Sequence, residues 1–177
     1  EWGFSCMGYE ISGALGIKMA KPNQDVIVFV GDGSYLLANS DIYSSVIYEK
    51  KLIIIVCDNA GHMVINRLQL AKGGKEYLCN LKSARASNFV KVDFAAHAAS
   101  MGAETETVTS TSELESAFLR AKKSDKTYVI SIVTHGYEWL EGTAFWESPT
   151  LEASSTEENK KALEEHLKGK VKQRKGV

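Results

Sequence analysis

Three short runs constrain this chain more than any other feature: Val26-Ile27-Val28-Phe29-Val30, Leu52-Ile53-Ile54-Ile55-Val56-Cys57 and Tyr128-Val129-Ile130-Ser131-Ile132-Val133. Each is rich in β-branched residues and almost free of polar ones, the signature of a strand buried on both faces. A weaker, alternating run from Glu104 to Val108 suits a less buried strand. Between the runs lie segments with helical spacing, so the order is strand, helix, strand, loop-helix, strand, helix, strand. That order predicts an α/β fold: three layers, with a mostly parallel sheet and helices on both faces.

The first helix is expected over Ser5 to Ala20, although Gly8, Gly13 and Gly16 cost it about 1 kcal/mol each relative to alanine. A helix that accepts this calls for close approach of another backbone or of a ligand. Tyr35 to Glu49 reads as one helix and Asp93 to Met101 as another, stopped by Gly102. Ser112-Glu113-Leu114-Glu115 reads as a capping box opening a helix to about Lys123. Residues 61–88 have weak periodicity and a Gly73-Gly74 pair, which predicts a long irregular connection, mobile in the isolated domain. Past Pro149 the composition turns highly charged. The reading is a domain over 1–150, followed by a charged helix and tail over 151–177.

Composition removes several function classes. A net charge of −1 argues against a broad nucleic-acid surface. No apolar run approaches the ~20 residues of a membrane span. The three cysteines, Cys6, Cys57 and Cys79, have no Cys-x-x-Cys spacing, which disfavours a zinc site or disulfide framework and fits a reducing cytoplasm.

The first two strands both end in oxygen-rich turns, Gly31-Asp32-Gly33-Ser34 and Asp58-Asn59-Ala60-Gly61. If the strands are parallel neighbours, Asp32 and Asn59 leave the same edge of the sheet, where open α/β sheets bind ligands. A carboxylate, an amide oxygen and a carbonyl near Gly61 are hard donors suited to magnesium, while Gly33 and Ser34 offer an N–H and a hydroxyl to a phosphate. The plainer reading is a strand-end turn in which Asp32 caps its helix and Asn59 serves its own loop.

Asp32 and Asn59 stand 27 positions apart, one strand-helix-strand unit. Gly31-Asp32-Gly33-Ser34 followed at this distance by Asp58-Asn59 resembles the cofactor motif of the thiamine diphosphate enzymes of the acetolactate synthase type. Gly3-Phe4-Ser5-Cys6-Met7-Gly8-Tyr9 resembles that family's segment against the aminopyrimidine ring. The resemblance implies a thiamine diphosphate-binding fold in which Asp32, Asn59 and the Gly61 carbonyl hold Mg²⁺. Gly31, Gly33 and Ser34 would meet the diphosphate, and Ser5, Cys6 and Met7 the ring, with Met7 as a soft wedge beneath the bent cofactor. Asp58, in place of the commoner asparagine, is expected to matter little.

Glu1 to Ile11, Arg67-Leu68-Gln69 and Val92 to Gly102 are similar, more narrowly, to a branch of the family that hydrolytically opens a cyclic diketone in inositol catabolism. The similarity covers roughly residues 1 to 150. Asn59 to Met63 and Cys79 to Lys82 depart from it, which bears on the substrate more than on the cofactor. His62, Arg67 and Gln69 are candidate contacts to a small polar carbonyl substrate, and His97 reads as a structural histidine. His135, Trp139 and Trp146 read as interface residues.

The resemblance further implies a catalytic glutamate on another domain. The chain is accordingly read as a fragment, inactive alone, whose N-terminal domains are missing and whose parent is a homodimer or tetramer. Alternatives are an acetolactate synthase-like decarboxylase and, from another class, a flavodoxin-like signalling or nucleotide-binding module.

Overall fold

The computed structural model describes residues 6–83, 90–138 and 150–172. Helix α1 (Tyr9–Ala20) leads to strand β1 (Ile27–Gly31), then the short helices α2 (Asp32–Leu37) and α3 (Asp41–Ile47). Strand β2 (Ile53–Asp58) precedes α4 (Met63–Ala71) and α5 (Phe94–Ser100), followed by β3 (Glu104–Val108), α6 (Thr111–Lys123), β4 (Tyr128–Val133) and α7 (Glu157–Val171). The four strands form one sheet in the order β1-β2-β4-β3, and every pairing is parallel. The expected fold is therefore the observed one.

Strand residues alternate between two cores, as the period of 2 dictates. Ile54 and Val56 join Val28 and Val30 beneath α1, α2, α3 and α5, where Ile11, Tyr35, Ile42 and Phe94 complete the larger cluster. Ile53 and Ile55 point the other way, with Ile130 and Ile132, against Ala117 and Ala121 of α6. Small residues on α6 let that helix lie close on the sheet. Along β1 the second face is bare among the described residues: Ile27 is 45% and Phe29 66% exposed, and β1 is one of the two edge strands of the sheet.

Several expectations are corrected. Residues 35–49 are two helices, because the chain breaks at Ala38-Asn39-Ser40, where Asn39 Nδ2 donates back to the Tyr35 carbonyl. The 61–88 stretch is not irregular throughout, since α4 occupies Met63–Ala71 with Met63 and Asn66 buried. The cap of α6 sits two residues earlier than expected. Ser110 Oγ accepts from the Glu113 amide, and Glu113 accepts in return from Thr109. Of the three glycines expected to need a close neighbour only Gly8 has one in another segment, a Cβ there standing 3.5 Å from the Ala38 backbone nitrogen; Tyr9's ring lies across Gly13, and Gly16 has nothing within 4 Å. Gly102 stops α5 as expected, at φ 88°.

The C-terminal helix is solvated, with Asn159 its one buried residue among those described. That side chain ties α7 to the end of α4. Turned with its nitrogen inward, it donates to the carbonyls of Gly73 (2.7 Å) and Lys72 (3.1 Å), satisfying acceptors that a helix C-terminus leaves open. Trp139 and Trp146 lie outside the described residues.

Candidate functional site

Register places the site. Gly31 pairs with Cys57, and Cys57 with Ile132, so β1, β2 and β4 end level with one another. Asp32 follows directly on β1, and Asp58 closes β2 beside it. The sheet edge that the sequence points to is thus assembled, with Asp32 as the first residue of α2, 1% exposed.

The Asp32 carboxylate is held by the neighbouring loop, not by its own helix end alone. Its Oδ2 accepts from the Gly61 amide at 2.6 Å. The Asn59 carboxamide turns one end toward Asp32 Oδ1 (3.1 Å) and toward the Gly61 carbonyl oxygen (2.9 Å). Without a cation that end is the nitrogen, which donates to both. Half a turn of the amide brings three oxygens, from Asp32, Asn59 and Gly61, to one point. This is the donor chemistry of a small hard dication. Among the described residues no group of three or more His, Cys, Asp or Glu side chains is arranged for a metal, so the donor set is mixed oxygen and not that of a zinc site.

Electrostatics agree with a cation-seeking pocket. Burial pushes the Asp32 carboxyl above the ordinary range, the Gly61 amide opposes this, and the Asp58 charge adds to it. Asp58, itself buried with Oδ1 accepting from the Ala60 amide at 3.0 Å, is therefore not neutral to the site as expected. It places a second negative charge next to Asp32, and the two together favour a bound positive ion.

Backbone conformation shapes the loop. Gly61 has φ 151°, and a Cβ there would stand 2.1 Å from the Cys79 carbonyl oxygen. The segment 79–81 runs antiparallel along the loop, with the His62 amide donating to Cys79 O (2.8 Å) and the Leu81 amide to Ala60 O (2.9 Å). Over this junction opens a cleft of about 410 Å³, lined by Asp32, Asn59, Asn80, Lys82, Thr134 and Tyr137 among others.

The remaining candidates distribute unevenly. Gly33 and Ser34 are buried in the first turn of α2, and Gly31 is its N-cap. His62 stands at the N-cap of α4, with its ring against Gly33. Arg67 and Gln69 are half-buried farther along α4 and do not line the cleft; Gln69 Oε1 faces the Cys79 thiol at 3.8 Å. Met7 is 46% exposed and also does not line the cleft, since its neighbour Gly8 packs on Leu37 and Ala38 at the far end of α2. The Cys6 carbonyl accepts from the Tyr9 amide, and Ser5 lies outside the described residues. His97 is structural as expected, its Nδ1 2.8 Å from the buried Tyr35 hydroxyl. Asn80, Lys82 and Tyr137 are cleft residues that sequence reasoning missed, because only tertiary contacts bring them here.

Comparison with known proteins identifies the family. The family described as "Thiamine pyrophosphate enzyme, C-terminal TPP binding domain" matches residues 1–132. Proteins named 3D-(3,5/4)-trihydroxycyclohexane-1,2-dione hydrolase are similar to the chain. That of Halalkalibacterium halodurans is 38% identical, over 93% of this chain and 26% of its own length. That of Shouchella clausii is 40% identical, over 81% and 24%, and that of Bacillus subtilis 36%, over 93% and 26%. The chain thus spans about a quarter of the curated relatives it matches. Among solved structures, a thiamine diphosphate-dependent 4-hydroxybenzoylformate decarboxylase of Rhodococcus jostii shares the fold, with TM-score 0.61 and 21% identity over 73% of this chain and 23% of that one. The chain belongs to the thiamine pyrophosphate enzymes and is of their C-terminal cofactor-binding domain type.

Proposed function

We propose that this domain holds thiamine diphosphate through a magnesium ion bound by Asp32, Asn59 and the Gly61 carbonyl. The observation that carries the reading is the aim of the Asn59 carboxamide at both Asp32 Oδ1 and Gly61 O. Gly31, Gly33 and Ser34 border the diphosphate, and Ser5, Cys6 and Met7 the aminopyrimidine. The cofactor supplies a nucleophilic carbon and an electron sink. The chain's own residues bind and orient it: buried Asp32 and Asp58 demand positive charge, and the 79–81 segment fixes the loop that presents Gly61.

Within the parent protein we assign hydrolytic carbon–carbon cleavage of a cyclic polyhydroxylated diketone in inositol catabolism. Support comes from the names of relatives 36 to 40% identical to this chain. We place the glutamate that activates the cofactor on the N-terminal domains, so this domain alone would be inactive, and we read the whole protein as a cytoplasmic homo-oligomer. Membership of the family sets aside the flavodoxin-like module. His62, next to the metal loop, remains a proposed substrate contact, whereas Arg67 and Gln69, the other two candidates, stand farther along α4 and outside the cleft lining. No helix among the described residues is long and apolar enough to cross a membrane.

Calorimetric titration with thiamine diphosphate and Mg²⁺ tests the cofactor reading. Wild type is expected to bind and Asp32→Ala to lose binding; equal binding by both would overturn it. Assaying the full-length parent with the cyclic diketone and with pyruvate tests the substrate, and turnover of pyruvate alone would transfer the protein to the acetolactate synthase branch.

A further inference from the structure

Three side chains from three separate segments gather around one carboxylate, that of Glu76, beside the cleft. Tyr137, beyond β4, donates its hydroxyl to Glu76 Oε2 at 2.6 Å. Asn80 Nδ2 donates to that same hydroxyl at 2.8 Å, and Asn66 Nδ2, on α4, donates to Glu76 Oε2 at 3.2 Å. Asn80 is also the residue that bridges Gly61. Its own oxygen accepts from the Lys82 amide and its carbonyl from the Ser83 hydroxyl, so its side chain has little freedom to turn.

The 79–81 segment meets the metal loop through two backbone hydrogen bonds and a Gly61 contact that leaves no room for a Cβ. Where that segment sits decides where Gly61 sits. Gly61 in turn gives its amide to Asp32 and its carbonyl to the Asn59 amide. The loop bearing Tyr137 is also fixed, since Gly136 packs against Met63 and the Asn59 backbone and the Thr134 amide donates to Asp58 O at 2.8 Å. Glu76 therefore joins a rigid rim, the loop after β4, to a segment that has no core of its own.

We propose that Glu76 and Tyr137 form a latch that positions the metal-binding loop: through Asn80 they press segment 79–81 against Gly61 and set the aim of the Gly61 carbonyl and the Asn59 amide. Both are positioning residues, acting through Asn80 and not on the ion. An ionised carboxylate suits the role, because it accepts from Tyr137 and Asn66 together and charge-assisted bonds are the stronger kind. These donors hold Glu76 below the ordinary carboxylate range, the Tyr137 hydroxyl foremost. The inference rests on the metal reading of Asp32, Asn59 and Gly61.

The test uses the full-length parent polypeptide, with Mn²⁺ as a spectroscopic substitute for Mg²⁺. Free Mn²⁺ is followed by electron paramagnetic resonance in the presence of thiamine diphosphate, in wild type, Asp32→Ala, Glu76→Gln and Tyr137→Phe. Each latch variant is expected to raise the Mn²⁺ dissociation constant about tenfold, the scale of one charge-assisted hydrogen bond. Turnover should recover at saturating cation, and the metal-free unfolding temperature should stay at the wild-type value. Wild-type Mn²⁺ affinity in both latch variants would overturn the proposal. So would a weakening matched by a lower metal-free unfolding temperature, which marks a merely structural role. If wild type and Asp32→Ala bind alike, the metal reading itself fails and the latch falls with it. Loss in Asp32→Ala with no change in the latch variants sinks the latch alone.

Discussion

The His62 imidazole lies so close over Gly33 that a Cβ on Gly33 would stand 2.4 Å from His62 Nδ1. Two turns that are far apart in the chain, one after β1 and one after β2, are thus in contact through a missing side chain. Gly33→Ala is expected to destabilise the domain by about 1 to 3 kcal/mol, the usual cost of overpacking. Adding His62→Ala in the same chain should restore most of the loss, as measured by denaturant unfolding of the single and double variants. Additive losses would mean that the contact is not the cause.

Asp32 sets stability against binding. A carboxyl whose folded-state pKa is raised, here chiefly by burial, contributes stability below its unfolded value of about 4, and that contribution is lost as pH rises through the raised value. Asp32→Asn can keep the Gly61 hydrogen bond without the buried charge. The metal-free variant is therefore expected to be more stable than wild type at pH 7, and the two should converge toward pH 3. The same variant should lose the rise in unfolding temperature that Mg²⁺ and thiamine diphosphate give wild type. A metal-free Asp32→Asn less stable than wild type at neutral pH would contradict this.

On the other face, Glu106 accepts a forked pair from Arg120, Nε at 2.8 Å and a terminal nitrogen at 2.5 Å, and a further bond from the Tyr128 hydroxyl. The Arg120 hydrogen bonds, with Tyr128 assisting, hold the Glu106 carboxyl below its ordinary range. A depressed carboxylate contributes stability above its unfolded pKa of about 4.3, and loses it as pH falls through the lower folded value. Glu106→Gln should cost about 1 kcal/mol at pH 7 after allowance for solvent screening. The deficit should shrink in high salt and vanish near pH 3. A pH-independent deficit would assign the effect to packing.

Tyr35 is fully buried, and burial pushes its hydroxyl up to about 12. Its bond to His97, 2.8 Å long, joins the first turns after β1 to α5. Tyr35→Phe leaves the ring contact with Phe94 in place, at 5.1 Å between centroids, and should cost about 1 kcal/mol. Because Tyr35→Phe orphans only the exposed His97, whereas His97→Ala strands the buried Tyr35 hydroxyl, His97→Ala should cost at least as much as Tyr35→Phe, a comparison that thermal unfolding can make.

What the sequence made legible follows from range. Ile53 to Val56 declare a doubly buried strand by themselves, so the sheet could be read directly. Asp32 and Asn59 are separated by one strand-helix-strand unit, so parallel pairing alone brings them together. Helix α4 was hidden because its N-cap, His62, makes no side-chain capping bond, and Asn66, a polar residue, occupies a buried position on it. Thr109-Ser110-Thr111-Ser112 offers two serines, each three residues before a glutamate, and only geometry selects Ser110. The break at Ala38 was read through because Tyr35, Ile42 and Val46, seven and four positions apart, keep helical spacing across it. Glu76, Asn80 and Tyr137 carry no local signal at all: the bond from Tyr137 to Glu76 closes a separation of 61 residues.

Strand β1 delivers Asp32 from its end and, among the described residues, leaves one edge and one face uncovered, with Phe29 66% exposed. An unpaired parallel edge beside an uncovered aromatic ring is a template onto which another strand or surface adds. Anything that seats there braces the strand on which Asp32 is mounted, and by reciprocity is itself held more firmly when Asp32 is engaged.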